Sequence, residues 1–369
     1  MRKLYDIKEF AFVPPPYGGV SVYVKRLIDQ LRLDGYKVGG FYVESCCDQL
    51  ITSSPFYDKW CWIQTYLLPF KIWKYLKFAR PYRIIHSHFS LEGMGYLWLI
   101  KVLLGKKVIV TIHNSMVTTN YPKTNVVNRF FLNMMLRSSD VLWITVSEQG
   151  KRQLMSLPVK PRTKVHVIPA YVPVAGDLYV PLDKKMQSYI DCHDRNIAFY
   201  GHSFMETDGV DIYGFKAIVK AYSVIIKRSH DSVGLVLCLS DSNNVQKIDD
   251  LHQYAKSLGV DDGIFWQIGA IDNIRTLWRN VDVYVRPTST DGDSVAVREA
   301  LDEGTFVIAS DVCERPNGVM TYKYGDGDDL CDKIITNLGT PKNGKKPNYE
   351  YYEKMKKIYD SVLKMNYDV

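Results

Sequence analysis

Short apolar runs alternate with helix-period segments along the chain. "FAFVPPP" reads as a strand, and "VSVYVKRLIDQLRLDG" as an amphipathic helix closing at Gly35. "KVGGFYVE", "RIIHSHF", "KVIVTIHNS", "VLWITVSE" and "KVHVIPA" follow as strands, with "LEGMGYLWLIKVLLG" and "NVVNRFFLNMMLRSSD" as helices between them. After residue 195 the alternation restarts. "NIAFYGHS", "SVGLVLCLS", "GIFWQIGA", "VDVYVRP" and "TFVIASD" are strands, and "GFKAIVKAYSVIIKRSH", "NVQKIDDLHQYAKSLG", "NIRTLWRN" and "SVAVREALDEG" are helices. Apolar strands alternating with helices predict parallel sheets covered on both faces. The pattern breaks once, at 171–196, where Pro173 and Pro181 lie among polar patches, and that stretch reads as a linker. The expected architecture is two Rossmann-like domains, 1–175 and 176–346, facing each other across a cleft. The reading leaves open a return of the final helix, about 347–369, to the first domain.

Composition changes this picture little. A chain of 369 residues with 46% hydrophobic and 24% charged residues suits two globular domains. The net charge of +7 permits anionic partners without demanding them. No apolar run reaches membrane-spanning length, the N-terminal stretch lacks a signal-peptide core, and no nucleic-acid motif is present. The seven cysteines have no metal-type spacing, so reduced thiols in a cytoplasmic protein are expected.

Two strand ends carry candidate chemistry. In "PPPYGGV", Gly18 and Gly19 stand between a strand and a helix, where backbone can approach a ligand closely and helix N–H groups face an anion. In "TSTDGDSVAVREALDEG" a buried strand feeds carboxylates and a glycine into a helix N-terminus: Asp291, Gly292, Asp293, Ser294 and Glu299, with Asp293 or Ser294 as the expected cap. "HSH", His86 and His88, lacks a third ligand at useful spacing, so zinc is rejected.

These segments, in this order along the chain, resemble a retaining glycosyltransferase of the GT-B fold, in the family 4-type group. The resemblance implies that Gly18 and Gly19 face the donor diphosphate and acceptor, and that His113 in "TIHN" hydrogen-bonds the donor sugar, with His88 a weaker candidate. It implies that the Asp-x7-Glu pair Asp291 and Glu299 matches the family's two glutamates, the first holding hydroxyls of the transferred sugar and the second the ribose. Gly201 and His202 stand where the family has a glycine and a phosphate-binding arginine, and Tyr213 where it has a lysine. Both permanent cations are therefore missing, while Glu206, Asp208 and Asp211 add negative charge. Arg286, Arg298 and Arg315 are the expected replacements.

The basic, aromatic segment 57–83, with Trp60, Trp62, Tyr66, Trp73, Tyr75 and Phe78, reads as an amphipathic membrane-interface helix. The implied activity is transfer of a sugar from a nucleotide diphosphate sugar, UDP favoured over GDP, to a lipid-linked or glycan acceptor in surface polysaccharide synthesis. No metal and no resident cofactor are expected, and the expected place is the cytoplasm, peripheral at the membrane. The alternatives are a GT-B nucleotide-sugar epimerase, or a non-catalytic partner protein that binds a sugar nucleotide or glycan.

Overall fold

The computed structural model describes residues 5–14, 18–43, 57–60, 72–88, 93–113, 116–174, 180–207, 209–269, 271, 274–342 and 347–364. The chain divides into two compact units, Met1–Ala175 with Asn348–Val369, and Gly176–Pro347.

Among the described residues, the first unit is built on a seven-stranded sheet. Its strands are β1 (Tyr5–Phe12), β2 (Val38–Val43), β3 (Tyr57–Trp60), β4 (Tyr82–Ser87), β5 (Lys107–Ile112), β6 (Val141–Thr145) and β7 (Val165–Val167). They are all parallel, in the order β3-β2-β1-β4-β5-β6-β7. Period-2 alternation sorts each strand between two cores. Phe10, Ile85, Val108, Val110 and Trp143 face one side, under α2 (Ile72–Ala79), α3 (Met94–Leu104), α5 (Val126–Leu136) and α6 (Glu148–Met155). A short helix, α4 (Met116–Asn120), precedes α5. Ile7, Ala11, Ile84, Ile109 and Ile144 face the other side, under α1 (Gly19–Leu33) and the C-terminal helix α13 (Glu350–Lys364). Tyr352, Met355, Tyr359 and Val362 of α13 are buried there, and Tyr352 Oη donates to Asp34 at 2.8 Å.

The second unit holds a six-stranded parallel sheet, in the order β12-β11-β8-β13-β14-β15. The strands are β8 (Arg195–Gly201), β11 (Val233–Leu239), β12 (Ile264–Ile268), β13 (Val283–Arg286), β14 (Phe306–Ser310) and β15 (Val319–Tyr322). A two-stranded ribbon, β9 (Glu206–Thr207) with β10 (Val210–Asp211), stands apart. Helices α8 (Phe215–Arg228), α9 (Val245–Ser257) and α12 (Gly327–Asn337) cover one face, and α7 (Lys184–Asp191), α10 (Ile274–Asn280) and α11 (Val295–Asp302) the other.

Two expectations are corrected here. The stretch 171–196 is not all linker. Asp183 caps α7, its carboxylate accepting from Lys185 N–H at 2.8 Å, and Met186 and Ile190, one turn apart, are buried in the second core. Nor is 57–83 a single amphipathic helix. Its described parts are β3, the eight-residue α2 and the first residues of β4, while 61–71 lie outside the described residues.

Candidate functional site

In a doubly wound sheet the ligand crevice opens at the C-terminal strand ends, where the strand order reverses. In the first unit that point lies between β1 and β4, and in the second between β8 and β13. Each unit places candidate residues at its own reversal.

In the first unit, Glu9, His86 and Thr111 occupy the face that packs under α13, at the same alternation as Ile7, Ile84 and Ile109. All three polar side chains are buried. A buried carboxylate costs several kcal/mol unless it is fully hydrogen-bonded. Glu9 meets that condition. Its Oε1 accepts from Tyr359 Oη at 2.9 Å, and its Oε2 lies 2.8 Å from His88 Nε2 and 3.1 Å from His86 Nδ1. His86 Nδ1 lies 2.6 Å from Tyr359 Oη and its Nε2 lies 2.7 Å from Thr111 Oγ1. His88 Nδ1 reaches His113 Nε2 at 2.8 Å. The ring of Tyr23, from α1, stands edge-on to both His88 and His113.

Burial alone would raise the Glu9 carboxyl, but the charge of His86 and the bonds from His86 and His88 outweigh it and hold it at about 2. Burial, then His86, lowers His88 to about 4, against the opposing pull of Glu9. Burial, then His88, puts His113 well below the ordinary histidine range. Burial, reinforced by Glu9, pushes the Tyr359 hydroxyl well up.

The structure thus corrects the spacing argument against a third polar partner for "HSH". Glu9 comes from the neighbouring strand, and Glu9, His86 and His88 bring ligand-type atoms within 4.8 Å of one another. Their separations of 2.8 and 3.1 Å are hydrogen-bond distances, and every ring nitrogen of His86 and His88 already has a partner, so the set closes on itself. Glu9 and Tyr359 are the residues missed in the sequence. The available signal was the pair Lys8–Glu9 just ahead of the apolar run "FAF", inside what is β1.

Gly18 caps α1, its N–H donating to Ser21 Oγ at 2.9 Å. A Cβ at Gly19 would meet nothing within 4 Å, so packing inside the protein does not demand glycine there. Open space beside a helix N-terminus is what close approach of a ligand requires.

In the second unit, Arg286 closes β13 and is 8% exposed. Its Nε and Nη2 bind the two oxygens of Asp291 at 3.1 and 3.2 Å. Arg315 donates to the same carboxylate from Nη1 at 2.7 Å and anchors to Ser310 O from Nε at 2.9 Å. One carboxylate therefore joins two guanidinium groups. Burial raises the Asp291 carboxyl, but Arg286 and then Arg315 overcome it and hold it below the usual range. Ser294 is the helix cap, its Oγ accepting from Val297 N–H at 3.4 Å, and Glu299 is buried on the same helix, α11. Gly292 N–H turns back to Asp291 Oδ1 at 3.0 Å. Asp293 pairs with Arg298 at 2.6 Å instead of capping.

Gly201 also has a packing reason to be glycine. A Cβ there would stand 2.3 Å from Phe215 Cζ, so helix packing alone requires glycine. His202 follows, with its Nδ1 buried and without a partner among the described residues. The N-terminus of α8 is occupied by the protein's own carboxylate. Asp211 accepts from Tyr213 N–H at 3.0 Å and Phe215 N–H at 2.7 Å. Arg286 lies over the Tyr213 ring, 5.1 Å from its centroid. A guanidinium thus stands beside the position where the expected lysine is missing.

Residues 17–175 match the family model Glycosyltransferase Family 4. No curated protein matches the chain by sequence. Among solved structures, sucrose-phosphate synthase from Thermosynechococcus elongatus is similar at a TM-score of 0.70 and 18% identity, over 98% of this chain and 100% of that one. A glycosyltransferase from Rickettsia africae gives 0.71 and 15%, over 98% and 99%. HepE from Anabaena, in complex with UDP-glucose, gives 0.66 and 13%, over 98% and 97%. Over residues 17–175 the chain matches Glycosyltransferase Family 4, and over nearly its whole length it has the GT-B fold of glycosyltransferases.

Proposed function

We propose that the chain is a glycosyltransferase using a nucleoside diphosphate sugar. The observation that carries this is the cluster at the ends of β13 and β14, where Arg286 and Arg315 share Asp291 beside the helix that holds Glu299. Two fixed guanidinium groups and one carboxylate leave one net positive charge, and planar guanidinium forks bind phosphate bidentately. Glu299 suits the ribose diol, because charge-assisted hydrogen bonds are the strong ones. The UDP-glucose named with the Anabaena structure supports a UDP-sugar over a GDP-sugar. His113, Gly18 and Gly19 are assigned to the sugar and acceptor side, and His202, Gly292, Asp293, Ser294 and Arg298 line the donor side. Gly201 serves by letting Phe215 pack.

No side-chain nucleophile is assigned. Transfer with retention, as the resemblance read in the sequence implies, lets the leaving diphosphate assist the acceptor hydroxyl, while the protein positions both and stabilises charge. The acceptor is a lipid-linked or glycan chain of a surface polysaccharide. A membrane surface fits the outer faces of α2, α3 and α5, which cover one side of the first sheet. Trp73 is 76% exposed and Val126 80%, with Phe130, Lys74 and Lys77 beside them in sequence and exposed.

A second reading, binding without turnover, is favoured by Asp211, which fills the helix N-terminus that an anion would otherwise use. Incubation with UDP- and GDP-sugars and a lipid-linked acceptor separates them. Extension of the acceptor supports the transferase, and nucleotide-sugar binding with neither extension nor donor hydrolysis supports the binding protein.

A further inference from the structure

The hydrogen-bonded line from Glu9 to His113 has a fixed direction. An ionised carboxylate only accepts, so His88 must donate from Nε2 to Glu9 Oε2, which it meets at 2.8 Å. A neutral His88 then carries no proton on Nδ1, and the 2.8 Å contact there must be donated by His113 Nε2. A neutral His113 is left with a bare Nδ1. Neither step passes through His86, whose nitrogens lie against Tyr359, Thr111 and, at 3.1 Å, the same Glu9 oxygen.

We infer that Glu9, acting through His88, locks His113 in the tautomer that presents Nδ1 as a hydrogen-bond acceptor at the end of β5, making Glu9 and His88 positioning residues. The chemical consequence is selective. An acceptor nitrogen takes a hydroxyl of a sugar or other polyol and offers nothing to a phosphate or carboxylate oxygen. The edge-on ring of Tyr23 holds both imidazoles in place, with centroids 6.0 Å from His88 and 5.7 Å from His113. Tyr359, from the far end of the chain, holds the other carboxylate oxygen at 2.9 Å and so orients Glu9.

The role of the hydroxyl as part of a donor sugar rests on the function proposed above, but the tautomer does not. Nitrogen-15 NMR of the histidine-labelled full chain at neutral pH reads it directly. The expected result is a protonated Nε2 and an unprotonated Nδ1 on His113. Glu9→Gln, whose amide also donates, is expected to mix the tautomers, and His88→Gln to do the same. A wild-type His113 protonated at Nδ1 overturns the inference without need of any variant. So does an unchanged tautomer in a folded Glu9→Gln or His88→Gln protein. Titration with UDP-glucose, GDP-mannose and free UDP is a separate arm. A shift of His113 Nδ1 with a nucleotide sugar but not with UDP, and a fall of about tenfold in donor turnover in the Glu9→Gln protein, are expected for a lost hydrogen bond. A correct tautomer with no response to either sugar nucleotide contradicts the site assignment and leaves the relay standing.

Discussion

At the residue scale, buried charge decides both strand ends. Asp291 is the common partner of Arg286 and Arg315, so losing its charge strands two guanidinium groups in a buried setting. Breaking such a set costs about 3–5 kcal/mol. Asp291→Asn is therefore expected to lower the unfolding free energy by about that amount, measured by denaturant titration. UDP is expected to recover more stability in the variant than in the wild type, because a diphosphate supplies beside the arginines the negative charge that the variant lacks. Equal stabilisation of both proteins by UDP would remove these arginines from the phosphate site. In the first unit, the histidines make a pH-dependent contribution. His88 has a folded pKa of about 4 against an ordinary value of 6.5. The unfolded chain binds more protons between those values, so stability falls as pH drops through that window, by up to about 3 kcal/mol. Glu9 acts lower, its stabilisation present above 4.5 and lost as pH falls towards 2. Unfolding curves from pH 7.5 to 4 should show the fall, and His88→Asn should make it shallower. A flat wild-type profile would contradict the buried neutral histidine.

At the scale of elements, α13 closes the first unit although it follows the second in sequence. Its Tyr359 touches Glu9, Tyr36 pairs with Asp360, Lys356 with Asp34, and Arg83 Nη2 donates to Leu363 O at 2.8 Å. Removing residues 348–369 uncovers the apolar face of the sheet on which α13 lies, where Tyr352, Met355 and Tyr359 are buried side chains. Such large apolar side chains contribute roughly 1.5–3 kcal/mol each. The truncated chain is expected to unfold at lower temperature and to be cleaved by protease within the first unit, while the second unit keeps its resistance. Unchanged proteolysis of the first unit would contradict this packing. Most of these elements were legible in the sequence, because apolar runs in parallel strands and helix-period faces leave direct marks. "VLWIT" and "FKAIVKAYSVIIKR" are the strand β6 and the helix α8 they read as. The short helix α7 was hidden by Pro173 and Pro181 nearby, because proline marks an irregular stretch without showing where a capped helix begins. The candidate site was only half legible. Asp291, Ser294 and Glu299 sit together because they are near in sequence. Glu9, His88, His113 and Tyr359 meet only through strand pairing and the return of α13, which no spacing in the chain records.

At the scale of the whole molecule, no helix among the described residues is long and apolar enough to cross a membrane. In the proposed attachment to an anionic surface, the exposed apolar residues of α2, α3 and α5 act with Lys74 and Lys77 of α2, and each such basic side chain contributes about 1 kcal/mol. Co-sedimentation with vesicles of acidic phospholipid should exceed that with neutral vesicles, and high salt should weaken it. Trp73→Ala with Lys74→Glu and Lys77→Glu should reduce it at least tenfold. Equal binding to neutral and acidic vesicles would refute the surface.

The central claim is that the second unit grips a nucleoside diphosphate through Arg286 and Arg315, and one calorimetric series tests it most directly. UDP, UDP-glucose, GDP and uridine are titrated into wild-type chain and into Arg315→Ala. The account predicts that a diphosphate binds the wild type well above its bare nucleoside, that UDP binds more tightly than GDP, and that Arg315→Ala loses about tenfold for the diphosphate while leaving uridine unchanged. Diphosphate and nucleoside binding alike in the wild type, or Arg315→Ala keeping full UDP affinity, would contradict it.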